Sequence, residues 1–430
     1  MLLLRRKEGL RVGDVNECLR HAEGPGPRCG ELQRVVNITL NRQAVVPDAG
    51  RIAEAKAQPE LGPKLLFFSG GSALNEIARN LKQYTYNSVH LITPFDSGGS
   101  SQVLRNTFDM PAVGDLRSRL MALANEEGSG QPEVYRLFTH RLPKTSSDDL
   151  LQAEFSDLLR GTHPLLAHID DRLRRTILEL LHGFTAACPA GFNLVGASIG
   201  NLILTGGYLS TGRTLEPALQ LMSRLVDVKG RVHAAVDQTL DLAAVLENGQ
   251  EIIGQRQMTG KEVPPIASPI SDLYLMRHGQ RVARETVPLP HSNRSHIQAA
   301  DLICYAPGSL YSSLFAALLP AGTGQAIADH KGPKLYLPGL GTDPECPGMT
   351  LAAKVEALLS VLSADFLAQP AVSDLLSAVL CDPTHVTPQE RAEVEDRFCV
   401  PCLSVPLVSP DRPDVYAPER VCEALVSLSA

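Results

Sequence analysis

The chain has 430 residues, 40 basic and 47 acidic, for a net charge of −7; that length allows about three domains, or one large α/β domain with insertions. The acidic balance excludes a protein that neutralises many nucleic-acid phosphates, and no apolar run reaches the ~18 residues of a membrane span. Nine scattered cysteines, an odd count, fit a reduced cytoplasmic protein rather than a disulfide scaffold.

The opening Met1-Leu2-Leu3-Leu4-Arg5-Arg6 is too short an apolar stretch for a signal peptide, and its basic residues follow it instead of preceding it. Residues 1–60 read as an N-terminal extension, partly flexible, broken at Gly24-Pro25-Gly26-Pro27, with one candidate strand at Val35–Leu40. Residues 61–430 read as one domain. Lys64–Phe68 predicts a strand, Ser69-Gly70-Gly71-Ser72 a turn, and Ala73–Leu81 a helix with Leu74, Ile77, Ala78 and Leu81 on one face. Ser88–Thr93 predicts a second strand, closing a right-handed βαβ unit. Residues 115–225 read as a helical insertion, including an acid-led helix over Asp170–Leu181. Asn248-Gly249 between apolar segments predicts a β-hairpin over about 238–256, placed as an accessory flap on the main sheet.

The α/β alternation then returns. Ala300–Tyr305 predicts a strand, Leu310–Leu319 a helix, Lys334–Leu337 a strand and Leu351–Phe366 an amphipathic helix. Leu403–Val408 reads as a late strand and Pro418–Leu428 as a closing helix with proline at its start. The expected architecture is α/β: a doubly wound, mainly parallel sheet with helical insertions and an accessory β-hairpin.

In such a sheet, ligands bind beyond the carboxyl ends of the strands. Three of those ends carry Gly/Ser turns: Ser69-Gly70-Gly71-Ser72, Asp96-Ser97-Gly98-Gly99-Ser100-Ser101 and Pro307-Gly308-Ser309. Glycine lets the backbone approach a phosphate, the following helix start offers unpaired N–H groups, and serines add donors. Together the turns predict a diphosphate cradle. Taken alone, Gly70-Gly71 matches neither GxGxxG nor GxxxxGK[ST] and reads as a tight turn. Asp96 could hold Mg²⁺ against a diphosphate or close an Asx-turn. Asp115, after Gly114, could be only a helix N-cap. Arg117 or Arg119 could grip a phosphate bidentately. Ser198, Gly200 and Asn201 lie in or beside another helix start. His291 and His296 read as loop residues with little support as metal ligands. Cys399-Val400-Pro401-Cys402 lacks the second pair a zinc site needs and reads as two thiols flanking a turn before a strand.

Five segments, in order, resemble motifs of the CofD-like family. Phe68-Ser-Gly-Gly-Ser-Ala-Leu74 resembles its opening GGGTG-type loop, and Asp96-Ser-Gly-Gly-Ser-Ser-Gln-Val-Leu-Arg105 its DDGGSSGxLR element. Pro111–Leu120 is similar to PPGDxRNxL, Gly196–Leu204 to GHSLGNLLL, and Ala300–Ser313 to ADxIxxGPGSLYTS. The form Phe-Asp-Ser-Gly-Gly-Ser-Ser is shared with the CofD-related subgroup of the so-called GAK gene system. The resemblance implies a Rossmann-like core with added helices. It also implies one of two activities: transfer of a phospholactyl group from a guanosine diphosphate-linked donor to a deazaflavin hydroxyl with Mg²⁺, or UDP-sugar binding by a YvcK-like regulator of carbon metabolism and cell-envelope growth. Carried onto this chain, it makes Asp96 the Mg²⁺ ligand and a catalytic residue with Asp115, as acid, base or second ligand. Gly70, Gly71, Ser72, Ser97, Gly98, Gly99, Ser100, Ser101, Gly114, Arg117, Ser198, Gly200, Asn201, Pro307, Gly308, Ser309 and Ser312 would line the nucleotide site. The chain departs from the motifs at Ser97, where a second acid is expected, at Ala197, where the histidine is lost, and at Ser118, where an asparagine is lost. The expected partner is a small nucleotide ligand, with neither nucleic acid nor membrane, and the chain could pair as a homodimer.

Overall fold

The computed structural model describes residues 43–126, 132–260 and 263–429. The chain divides into two units, residues 1–43 and 44–430, and every described element belongs to the second. The candidate strand at 35–40 lies outside the described residues. Of the remaining front segment, Ala49–Ala57 is a helix capped by Asp48, which accepts from Gly50 and Arg51 N–H, and its Ile52 and Ala55 are buried beside the closing helix Pro418–Leu428.

Eleven strands are described: β1 (Leu65–Ser69), β2 (Val89–Ile92), β3 (Arg231–Ala234), β4 (Asp241–Leu246), β5 (Glu251–Ile253), β6 (Ile270–Arg277), β7 (Gln280–Arg281), β8 (Leu302–Tyr305), β9 (Lys334–Tyr336), β10 (Ala378–Cys381) and β11 (Cys402–Ser404). Seven form one sheet in the order β11-β10-β9-β8-β1-β2-β3, every pair parallel. β1, β2, β8, β9 and β10 are buried along their whole length, as a parallel sheet covered on both faces requires. Successive side chains alternate between two cores. Leu66, Phe68, Ile303 and Tyr305 pack under the helix Leu351–Ser363, while Leu65, Phe67, Leu302 and Cys304 pack against the helices Asn75–Leu81 and Pro418–Leu428.

The strand order turns at β1. β2 and β3 extend the sheet to one side and β8 to β11 to the other, so the β1/β8 boundary is the topological switch point. Register brings three strand ends level there: Ser69 pairs with Ile92, and Phe68 with Tyr305.

The helical insertion forms the helices Gly114–Leu123, Pro132–Thr139, Asp148–Arg160, Asp171–Ala187, Ile199–Ser210 and Leu215–Leu225, around a third core. Asp170 caps its helix by accepting from Arg172 and Leu173 N–H. The helix Ile199–Ser210 is buried from Ile199 to Tyr208. A Cβ at Gly206 would lie 1.9 Å from the Leu180 carbonyl oxygen, so only glycine allows that crossing.

Three expectations are corrected. The hairpin around Asn248-Gly249 forms as β4 and β5, but it belongs to a separate antiparallel sheet, β5-β4-β6-β7, and not to the main sheet. His291 and His296 sit in a helix, His291–Ala299, not a loop. The late strand is only Cys402–Ser404, because Leu407 and Val408 give their N–H groups to Asp382 Oδ2 at 2.6 and 2.9 Å. Cys399 ends the helix Pro388–Phe398 in a left-handed conformation and Cys402 opens β11, the turn expected for that pair. Among the described residues, no helix is long and apolar enough to cross a membrane.

Candidate functional site

The loop after β1 is held from below by a buried arginine. Arg119 is fully buried; it donates to Ser69 Oγ (3.1 Å), Asn75 Oδ1 (3.0 Å) and His90 Nδ1 (3.0 Å). Burial lowers its pKa to about 10, with Asp115 opposing, so it stays charged at neutral pH. Burial, then Arg119, pushes His90 well below the usual histidine range, which leaves it a neutral acceptor. Gly70 is a packing requirement: a Cβ there would lie 2.6 Å from Thr93 Oγ1. Gly71 takes a positive φ of 42°, and its N–H donates to Asp115 Oδ2 at 2.8 Å. Asp115 is therefore not the cap of its own helix, whose N-cap is Val113.

The loop after β2 turns on Asp96, whose Oδ1 accepts from Gly98 N–H at 3.0 Å in an Asx-turn. Its other oxygen faces Gly114, where a Cβ would lie 2.6 Å from Asp96 Oδ2 and 2.2 Å from Ser101 Oγ. Gly114 thus lets the carboxylate lie against the start of the helix Gly114–Leu123. The helix Gly99–Phe108 begins after Gly98 with no side-chain cap. Ser97 is buried and accepts from Arg256 N–H at 2.9 Å, and Ser101 is buried as well.

A neighbouring polar group extends this wall. Ser100 Oγ accepts from Asn201 Nδ2 (3.1 Å) and Arg141 Nη1 (3.4 Å), and Asn201 Oδ1 accepts from Arg117 Nε (2.8 Å). Burial, then the Arg141 guanidinium, lowers the Arg117 pKa to about 10. Gly200 is again packing, since a Cβ would lie 2.4 Å from the Phe138 carbonyl oxygen. Ser198 is buried, and its hydroxyl has no partner among the described residues.

The loop after β8 behaves differently from expectation. Gly308 has φ 150°, and the segment Leu310–Phe315 is a π-helix, not the start of a regular α-helix. Its first amides are not open to a phosphate. Leu310 N–H donates to Asp343 Oδ2 (2.7 Å), and Tyr311 and Ser312 N–H donate to Glu345 Oε2 (3.0 and 2.8 Å). Ser312 is fully buried with its hydroxyl on Glu345 Oε1, so it faces this cap and not the crevice. Burial, then Asp343, pushes the Glu345 carboxyl up to about 7.

These loops open onto two cavities that share the β1 loop. One, about 190 Å³, brings together Gly71, Ser72, Asp96, Gly98 and Asp115. The other, about 580 Å³, is lined by Pro307, Gly308 and Ser309, with Ala73 from the β1 loop and the 412–416 segment opposite. Gln255, Arg256 and Thr259, which sequence reasoning missed, close the smaller cavity from the short helix Gln255–Thr259. Their one local signal is Gly254 (φ 91°), which redirects the chain out of β5. Arg141, Asp343 and Glu345 were also missed; each acts on a loop distant in sequence.

The fold and this crevice define a switch-point α/β protein with an acidic, glycine-lined site. Residues 65–401 match the family model described as 2-phospho-L-lactate transferase CofD, and the chain belongs to that family. It is 28% identical over 71% of its length to a Bacillus subtilis protein named gluconeogenesis factor, covering 77% of that protein. It is 30% identical over 69% of its length to a putative gluconeogenesis factor of Nostoc, of which it spans only 52%. A crystal structure of a UPF0052-family protein from Bacillus halodurans superposes with a TM-score of 0.61 at 21% identity, covering 85% of this chain and 99% of that one, and so shares the fold.

Proposed function

We propose that the chain binds a nucleoside diphosphate-linked compound together with Mg²⁺ at the switch point, and moves its phosphoryl-linked group to a hydroxyl acceptor. The observation that carries this reading is the meeting of Asp96 and Asp115 with Gly71 and Ser72 in one small polar cavity. In the cavity lining the two carboxylates stand against one guanidinium, that of Arg256, with Arg117 and Arg119 lying behind Asp115; a bare diphosphate would meet Asp96 and Asp115 at contact distance and be repelled by them. A divalent cation on the carboxylates reverses that sign, and Mg²⁺ favours this donor set of one or two carboxylates completed by phosphate oxygens and water. Asp96 would hold the ion, with Asp115 as second ligand or proton acceptor. Bound there, Mg²⁺ supplies charge stabilisation for the phosphoryl group in transfer. The uncapped first turn of the helix Gly99–Phe108 offers amides to the remaining phosphate oxygens. The larger cavity across the β1 loop has the volume of a small-molecule site, enough for a nucleoside.

A second reading, which the motif resemblance implies, is a nucleotide-sugar-binding regulator that uses the same crevice without turnover; the relatives' name, gluconeogenesis factor, specifies no transfer reaction. Calorimetric titration with GDP and with UDP-N-acetylglucosamine, each with and without Mg²⁺, separates the two. Tight GDP binding that needs Mg²⁺ supports the transferase; UDP-sugar binding indifferent to the ion supports the regulator. No heat from either ligand sinks both.

A further inference from the structure

We propose that His140, Glu154 and His163 form a binding site for one divalent transition-metal ion of the Zn²⁺ class, separate from the crevice and independent of the nucleotide reading. The three residues come from different elements. His140 follows the helix Pro132–Thr139, Glu154 lies on the helix Asp148–Arg160, and His163 precedes the 3₁₀ turn Pro164–Leu166. Glu154 Oε1 lies 2.8 Å from His140 Nε2 and 3.7 Å from His163 Nε2, and the three ligand atoms all fall within 4.8 Å of one another. Donors sharing a tetrahedral ion at bond lengths of about 2.1 Å stand roughly 3.4 Å apart. The two separations to Glu154 bracket that figure, and the third, between the two imidazoles, lies within 4.8 Å, so side-chain rotation can bring the three donors onto one ion.

The donor chemistry selects the ion. Two imidazoles and one carboxylate suit Zn²⁺ with an open fourth position, whereas Mg²⁺ prefers an all-oxygen shell. The side chains are 29%, 26% and 12% exposed for His140, Glu154 and His163, so solvent reaches the open position. The tautomer sets the cost. Leu165 N–H donates to His163 Nδ1 at 3.2 Å, which places the His163 proton on Nε2 in the free protein. Loading moves that proton to Nδ1 and gives up the Leu165 contact, a long hydrogen bond at the edge of the normal range.

The site also has a structural purpose. The His140 carbonyl accepts the N–H of Ile199, at the start of the buried helix Ile199–Ser210. The next residue, Arg141, bridges to Ser198 and reaches Ser100. An ion on His140 would pin the segment that presents Arg141 to the crevice, acting as a clamp and not as a reactant.

The test uses the full chain, stripped with chelator, then titrated with Zn²⁺ by calorimetry and with Co²⁺ by visible absorption. The expected result is one equivalent bound, with the Co²⁺ bands of a four- or five-coordinate site. His140→Gln and Glu154→Gln, each confirmed folded by circular dichroism, should weaken Zn²⁺ at least tenfold and abolish those bands. Asp96→Asn should leave both unchanged, which sets this site apart from the one proposed for Mg²⁺. Absence of saturable one-to-one binding by the wild type overturns the proposal, as does an affinity that both variants leave untouched. The wild-type Co²⁺ spectrum decides the matter even if a variant fails to fold.

Discussion

The glycine loops after β2 and β8 flank the same crevice, yet they treat the helices that follow them in opposite ways. After β2, Gly98 opens the helix Gly99–Phe108 without a side-chain cap. After β8, the amides of Leu310, Tyr311 and Ser312 are already held by Asp343 and Glu345. Both helix starts carry the same partial positive charge. What separates a ligand site from a structural joint is the occupant of the amides, and on the β8 side that occupant arrives from the loop after β9. On the function proposed above, anion binding would fall to the β2 side and shape to the β8 side.

Replacing the support of the open side should have the largest effect. Arg119→Met removes the donors to the buried Ser69 and His90 and to the half-buried Asn75. The expected loss is about 3 kcal/mol of unfolding free energy, read by urea denaturation, and ligand binding should fall with it. Stability within about 0.5 kcal/mol of wild type, the usual range for surface substitutions, would show that water replaces the guanidinium and that the loop needs no such support.

The capped side has a pH signature. Burial and Asp343 raise the Glu345 carboxyl from its ordinary 4.5 to about 7, while Ser312 and Tyr311 donors oppose the shift. The folded state therefore holds this proton more tightly than the unfolded chain. The resulting stability is fully present below the ordinary value and is lost as pH rises through the folded one. A window of that width corresponds to at most about 3 kcal/mol. Glu345→Gln, neutral at every pH, should flatten the decline in melting temperature across that window. A decline of equal slope in the variant would assign the effect to another group.

On the open side, Asp96→Asn should remove the Mg²⁺-dependent part of nucleotide affinity, about tenfold or more, which is about 1.4 kcal/mol. It should leave the melting temperature nearly unchanged, because the Asn side-chain oxygen can keep the Gly98 bond. Equal affinity with and without EDTA in the wild type would remove the metal role.

Much of this arrangement is legible from local signals. The strands at 65–69, 89–92 and 302–305 announce themselves as apolar runs ending in Gly/Ser turns, and Pro418–Leu428 as an amphipathic helix led by proline. The helix His291–Ala299 is hidden because His, Ser and Asn dominate it, and Asn293, one of its buried side chains, is satisfied by the Ala234 carbonyl rather than by apolar packing. β10 is four residues long, too short for periodicity to tell strand from helix; burial between β9 and β11 makes it a strand. The carboxylates of Asp343 and Glu345, and the Gln255–Thr259 wall, escape for one reason. Their partners lie tens of residues away, and residue type alone does not say which amide a carboxylate will find.

The smallest expected effect on affinity falls on the wall between the crevice and the helical insertion. Asn201 bridges Arg117 and Ser100 through both ends of its amide, from within the buried helix Ile199–Ser210. If it is a strut, Asn201→Ala costs two hydrogen bonds, about 2 kcal/mol of stability. Arg117 keeps its longer bond to the Phe138 carbonyl, so nucleotide affinity should drop only a few-fold. If Asn201 itself contacts the ligand, as the family motif implies, affinity should fall tenfold or more with stability moving by the same amount. Measuring the melting temperature beside calorimetry with Mg²⁺-GDP and UDP-N-acetylglucosamine separates the two. A large affinity loss would move the boundary of the binding site past Ser100 to the start of the buried helix, and make Arg117 and Arg141 part of the surface the ligand meets.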